Sequence, residues 1–274
     1  MKQAPPPAQR RHTLYFLDEI RAVSPVFLDT DVDMTRVQAH RRAAQEHGRS
    51  YSVVAYLLYA AARTLAAHPA ANAAIHGRLR PRVAYYDRVN AKLTLDKTLG
   101  GQRVVLATVL RNVHEATLDD IQSQIERFRD GDPDTMPEFA AMRQLHRLPP
   151  ALGGPLFRRA TRPLRKRPET MGTLAVTSLG HRPVDSFFSV GGTTVTLGLG
   201  RVVDRPVATG GKVVVAPMMR VALTFDHRVI DGAEAADVLA DLKGQVEEFG
   251  CVAELSQFRQ SARRVADLGE TGRE

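Results

Sequence analysis

Near its C-terminal end the chain reads Asp226-His227-Arg228-Val229-Ile230-Asp231-Gly232, directly after an apolar run and directly before an amphipathic one. An imidazole at the end of a strand can be held rigidly with one ring nitrogen facing a cleft, and its near-neutral pKa suits it to general-base work. Asp231 stands four residues on and Gly232 offers a tight turn before a helix begins. An isolated histidine beside a buried strand is more often a structural residue. The whole string in a strand–turn–helix setting shifts the balance toward catalysis.

The elements that must position this string follow from periodicity. Pro25 to Met34 alternates as a strand, and a polar helix from Thr35 ends near Gly48. Ser50 or Ser52 caps the next helix, apolar on most sides and therefore buried, which Pro69 stops. Three β-like runs follow at Arg82–Asp87, Val89–Leu95 and Arg103–Arg111. Thr117 and Asp120 have capping-box spacing at the head of an amphipathic helix. Gly172–Ser178, Thr193–Gly200 and Lys212–Phe225 read as strands, and Ala233–Phe249 as a helix. Residues 1–9, with Pro5, Pro6 and Pro7, read as a flexible stub, and residues 10–274 as one domain. Within that domain 130–170 is rich in Pro and Gly and reads as an insertion or flap with short helical pieces.

Composition narrows the function classes. With 274 residues, 43% hydrophobic and 25% charged, the chain is long enough for one large core. No apolar run approaches the roughly 18 residues of a membrane span, and the N-terminus lacks a secretory signal's apolar stretch. The single Cys251 excludes an internal disulfide and fits a reducing, cytoplasmic setting. Eight basic residues between Ala141 and Thr170, opposed by Glu169 alone, carry +7 of the net +8. Any electrostatic partner would be met there. Nucleic-acid binding is not expected, because no recognised module is present and Pro163 and Pro168 interrupt any basic helix. The other histidines show no metal-ligand spacing, so no metal is expected. His181 is a candidate to line the site.

The D-H-R-x-x-D-G string, together with Gly172, Thr173, Val176, Thr177, Leu179 and Gly180 in a G-T-x-x-[IV]-[ST]-x-L-G pattern, resembles the catalytic domain of the acyltransferases of 2-oxoacid dehydrogenase complexes. That family shares its fold with chloramphenicol acetyltransferase. The resemblance runs from about Arg10 onward and is weakest between Asp130 and Thr170. It implies an α/β two-layer sandwich with a large mixed sheet. It also implies a homotrimer, sometimes stacked into a cage, with active sites between subunits. By position, His227 would take a proton from the attacking thiol or hydroxyl. Thr177, where the family usually has Ser, would stabilise the oxyanion, with Ser178 as the fallback. Asp231 would fix the loop by pairing with Arg10 or Arg11, with Asp226, Arg228 and Gly232 in support.

The resemblance further implies acetyl-CoA or another acyl-CoA as co-substrate, no bound cofactor and no covalent intermediate on Cys251. A standalone enzyme is expected, because the first ten residues resemble only a stub of the family's Pro/Ala linker and no lipoyl-type lysine context is present. Gly191-Gly192 stands where the family tends to carry an Asn/Pro-rich turn. The leading expectation is therefore O-acylation of a small-molecule alcohol, with a hydroxymethyl tetronate of a natural-product pathway as the specific case. The alternatives are a trans-acting core serving lipoyl groups on another chain, and a non-catalytic scaffold.

Overall fold

A computed structural model describes residues 1, 3–77 and 79–250. In chain order the elements are α1 (Arg11–Ile20), β1 (Pro25–Asp33), α2 (Thr35–Glu46), α3 (Val53–Ala67), β2 (Ala73–His76), β3 (Arg82–Tyr85), β4 (Ala91–Leu99), β5 (Gln102–Leu110), α4 (Leu118–Asp130), α5 (Ala140–Arg147), α6 (Pro150–Thr161), α7 (Arg167–Thr170), β6 (Leu174–Ser178), β7 (Val195–Thr209), β8 (Lys212–Asp226) and α8 (Gly232–Glu247). Cys251 lies outside the described residues.

Six strands form one sheet in the order β1-β8-β7-β6-β4-β5. It is mixed, with β6 parallel to both β4 and β7 and the other pairs antiparallel. Strand alternation sends Leu93, Val176, Leu197, Leu223 and Phe225 to one face, where they join the core formed with α3 and α8. Tyr56, Leu57 and Leu58 of α3 are fully buried there. Truncating one such leucine costs about 2–5 kcal/mol. Ser52 begins α3, its hydroxyl accepting from the Ala55 N–H. Thr117 and Asp120 close the predicted capping box of α4.

The opposite face of the sandwich's sheet is not bare. It carries α1 and an irregular segment between β6 and β7. The predicted stub gives way to structure before Arg10: Ala8–Arg10 form a 3-10 turn that runs into α1. α1 is clamped to the 130–170 region. Arg11 donates to the carbonyls of His146 and Leu148, 2.8 Å each, and His12 Nδ1 lies 2.9 Å from His146 Nε2. Burial holds the His146 pKa down at about 4. The flap itself consists of α5, α6 and α7, and part of its charge is neutralised locally: Arg158 meets Asp18, and Arg162 forks onto Glu19.

β7 does not stop at Gly200. A bulge between Leu199 and Val202 lets it continue to Thr209. β1 accompanies β8 only from Met218 to Asp226, so beyond it β7 and β8 run on as a two-stranded ribbon. Val213, Val214 and Val215 are exposed on that ribbon. Among the described residues no helix is long and apolar enough to cross a membrane.

Candidate active site

His227 is the first residue past β8, in the turn that leads into α8. Its backbone N–H donates to the Ser24 carbonyl at 2.9 Å, and its ring lies 5.5 Å from that of Phe225. The side chain is 46% exposed, so one ring edge is open to an incoming group. Nδ1 lies 3.4 Å from the Asp231 carboxylate, which leaves Nε2 facing outward. Asp231 is the N-cap of α8, yet its side chain makes no capping bond and turns to the imidazole instead.

Asp226 fixes this turn. It is 5% exposed and accepts from the Ser24 N–H, the Arg228 N–H and, in a fork, the Arg228 guanidinium at 2.9 and 2.6 Å. Two parallel charge-assisted bonds define geometry as well as energy. Behind the turn, His68 at the C-cap of α3 bridges two carboxylates of α8, Glu234 at 3.1 Å and Asp241 at 2.9 Å. Burial alone would lower the His68 pKa, but the bonds and charges of Asp241 and Glu234 together raise it.

Thr177 sits elsewhere. Alternation along β6 puts it on the face opposite the main core, and Thr94 of β4 donates a hydrogen bond to its oxygen at 2.7 Å. That bond fills one acceptor site and leaves the Thr177 hydroxyl hydrogen free to donate. Ser178 faces the other way, its oxygen accepting from the Gly180 N–H at 3.4 Å. Thr177 is paired with Gly198 of β7, and a Cβ on Gly198 would collide with the Phe187 carbonyl. The 185–188 backbone therefore passes directly beside Thr177.

The register separates the two groups. Thr177 is level with Gly198 and so with Ala222, five residues before His227. At about 3.3 Å per residue and 4.8 Å per strand, that is about 16 Å along the strands and about 10 Å across them. Within one chain the two cannot act on the same carbonyl. A surface hollow of about 660 Å³, lined by Thr35, Arg42, Val202 and Asp204 among others, touches neither residue.

The other predicted residues divide. Asp226 and Arg228 join His227 and Asp231 at the turn. The predicted pairing of Asp231 with Arg10 or Arg11 is not found: among the described residues neither arginine reaches it, and the Arg11 guanidinium is occupied by the His146 and Leu148 carbonyls. Gly232 needs no glycine conformation, and a Cβ there would meet nothing within 4 Å. His181 is exposed, its charge felt at Asp96 near the β4–β5 end, away from the His227 turn. Sequence reasoning missed Ser24 and Thr94. The polar alternation Lys92, Thr94, Asp96 along β4 is the one signal that marked the latter.

A model of the family described as 2-oxoacid dehydrogenases acyltransferase (catalytic domain) matches residues 9–132 and 159–253. The chain belongs to that family. The pig (Sus scrofa) dihydrolipoyllysine-residue succinyltransferase component of the mitochondrial 2-oxoglutarate dehydrogenase complex is 29% identical over 223 residues, covering 80% of this chain and 42% of its own length. The chain thus spans less than half of such curated relatives. Among solved structures, Azotobacter vinelandii dihydrolipoamide acetyltransferase is similar with a TM-score of 0.69 at 20% identity, covering 92% of this chain and 94% of that one. A probable dihydrolipoamide acetyltransferase from Listeria monocytogenes gives 0.68 at 19% identity, covering 90% and 95%. The fold is therefore that of the family's catalytic domain, and residues 133–158, most of the flap, fall outside the family match.

Proposed function

We propose that the chain transfers an acyl group from a CoA thioester to a hydroxyl acceptor, at a site completed between two copies. The separation of His227 from Thr177 carries this reading. Both groups are poised for the same reaction, one with an open ring nitrogen and one with an oriented hydroxyl, yet a single chain holds them too far apart. A trimer, as the family resemblance implies, would bring the His227 turn of one copy to the Thr177 row of the next.

His227 Nε2 removes the acceptor's proton as its oxygen attacks the thioester carbonyl carbon. Asp231 beside Nδ1 holds the ring and stabilises the imidazolium that forms. The oxyanion takes a hydrogen bond from Thr177 O–H, which Thr94 has turned outward. The intermediate collapses, the C–S bond breaks, and the CoA thiolate recovers the proton from His227. In the Azotobacter protein a serine, a histidine and an asparagine four residues after the histidine were studied in the catalytic mechanism, the same spacing as His227 and Asp231 here.

The acceptor reading rests on the Gly191-Gly192 turn near Thr177 and on the flap, both departures from the family pattern. A hydroxymethyl tetronate is the alcohol to try first, and an alcohol carried by an acyl carrier protein the second. The similarity to dihydrolipoyllysine succinyltransferases favours another acceptor, a dihydrolipoyl thiol. Mass spectrometry of products from acetyl-CoA or succinyl-CoA with each acceptor, with His227→Ala as control, separates them. An ester on the alcohol supports the reading. A thioester on dihydrolipoamide alone replaces it with lipoyl chemistry, and no product with either sinks it.

A further inference from the structure

Two rows of residues cross the face of the sheet that holds Thr177. Lys92, Ala175 and Thr196 form one, and Thr94, Thr177 and Gly198 the next. The 185–191 backbone runs across both. A Cβ on Gly200 would collide with the Asp185 carbonyl and one on Gly198 with the Phe187 carbonyl, while Gly191 sits against Ala175 and Thr196. The segment is thus the wall on the β7 side of Thr177.

The wall is pinned at its far end. Gly191 N–H donates to Thr196 Oγ1 at 3.0 Å, Lys92 Nζ donates to the Gly191 carbonyl, and Arg167 Nη2 donates to the Gly192 carbonyl at 2.6 Å. Lys92 is 4% exposed and lies 4.4 Å from the centre of the Phe16 ring, with no carboxylate in ion-pair range among the described residues. Burying a lysine without an acidic partner is costly, and an apolar side chain would fill the same space more cheaply.

We infer that Lys92 is a positioning residue for acyl transfer: its Nζ, bonded to the Gly191 carbonyl, fixes the 185–191 segment as the wall beside the Thr177 hydroxyl. The inference rests on the acyl-transfer reading above. Lys92 touches no reacting atom. A wall displaced by about 1 Å misplaces the tetrahedral intermediate against its donor, and such errors cost up to about 10²-fold in rate.

The test is Lys92→Met in the full chain, with Gly191→Ala approaching the same contact from the segment side. Steady-state kinetics use acetyl-CoA and whichever acceptor the wild type turns over, and hydrogen exchange follows the amides of 185–191. Expected are a kcat lower by about 10–100-fold, a KM for acetyl-CoA within about twofold of wild type, and exchange faster by about tenfold or more in the segment alone. A loss confined to melting temperature, with kcat and segment exchange unchanged in both variants, overturns the role. A wild type inactive on both acceptors sinks the acyl-transfer reading and this role with it, whereas an active variant of unchanged kcat sinks this role alone.

Discussion

The His227 turn and the Thr177 row are built by opposite means. At the turn, Asp226, His227, Arg228 and Asp231 make their contacts within five residues of one another, with Ser24 the distant partner. In the row, Thr177 meets Thr94 across 83 positions and Lys92 meets Gly191 across 99. Apart from its buried hub Asp226, the turn is exposed and stands on local geometry, so a single change at His227 or Asp231 alters chemistry more than stability. The row is covered by the chain's own backbone, and changes there spread through packing.

The widest break in the comparison is His227→Ala. Loss of the general base lowers kcat/KM by about 10³-fold in a CoA-release assay, with little change in melting temperature, because the ring is half exposed. Thr177→Ala comes next, at about 10²-fold in kcat, and Thr177→Ser retains most activity. Asp226→Ala strips the buried partner from Arg228 and lowers unfolding free energy by about 3 kcal/mol in a denaturant titration, making the turn's hub its one stability-critical residue. Thr94→Ala leaves the Thr177 hydroxyl unoriented and lowers kcat by about tenfold, a smaller loss than removing the donor itself.

A pair of pH slopes with opposite sign completes the comparison. The raised His68 pKa means that its support of α8 is complete below the unfolded value of 6.5 and is lost as pH rises through the folded value. Burial, aided by the Arg167 charge, pushes Lys92 down to about 7 from 10.5. The unfolded chain then binds the extra proton between those values, so this residue makes stability rise with pH across that window. Melting temperatures from pH 6 to 10 should show a negative contribution that disappears in His68→Gln and a positive one that disappears in Lys92→Met. Equal slopes in both variants and wild type would erase the distinction.

What the sequence made readable follows the same division. The capping box of α4, the Ser52 cap and the strand–turn–helix around His227 are each written within a few residues. α1 was not readable, because its apolar residues point both ways: Phe16 and Ile20 reach Gly192 while Leu14 and Leu17 are exposed. β2 reads Ala-Ala-Ile-His, too short to show an alternation and half alanine, and it pairs with β3. The resemblance offers Arg10 or Arg11 to Asp231, and the flap, largely outside the family pattern, takes Arg11 instead. The Thr94–Thr177 bond depends on which strands neighbour in the sheet, and that order is not a local property.

Gly198 and Gly200 place the instructions for a surface segment inside a strand beneath it. The carbonyls of Asp185 and Phe187 set how closely the segment lies on the sheet, while the Asp185 carboxylate bonded to Arg201 and the Phe188 ring against Phe27 tie its side chains to the same sheet. A single methyl group added to either glycine would lift the whole segment. Constancy in the strand is therefore the expected signature of this arrangement, and a library randomised at 198 and 200 should recover glycine at both.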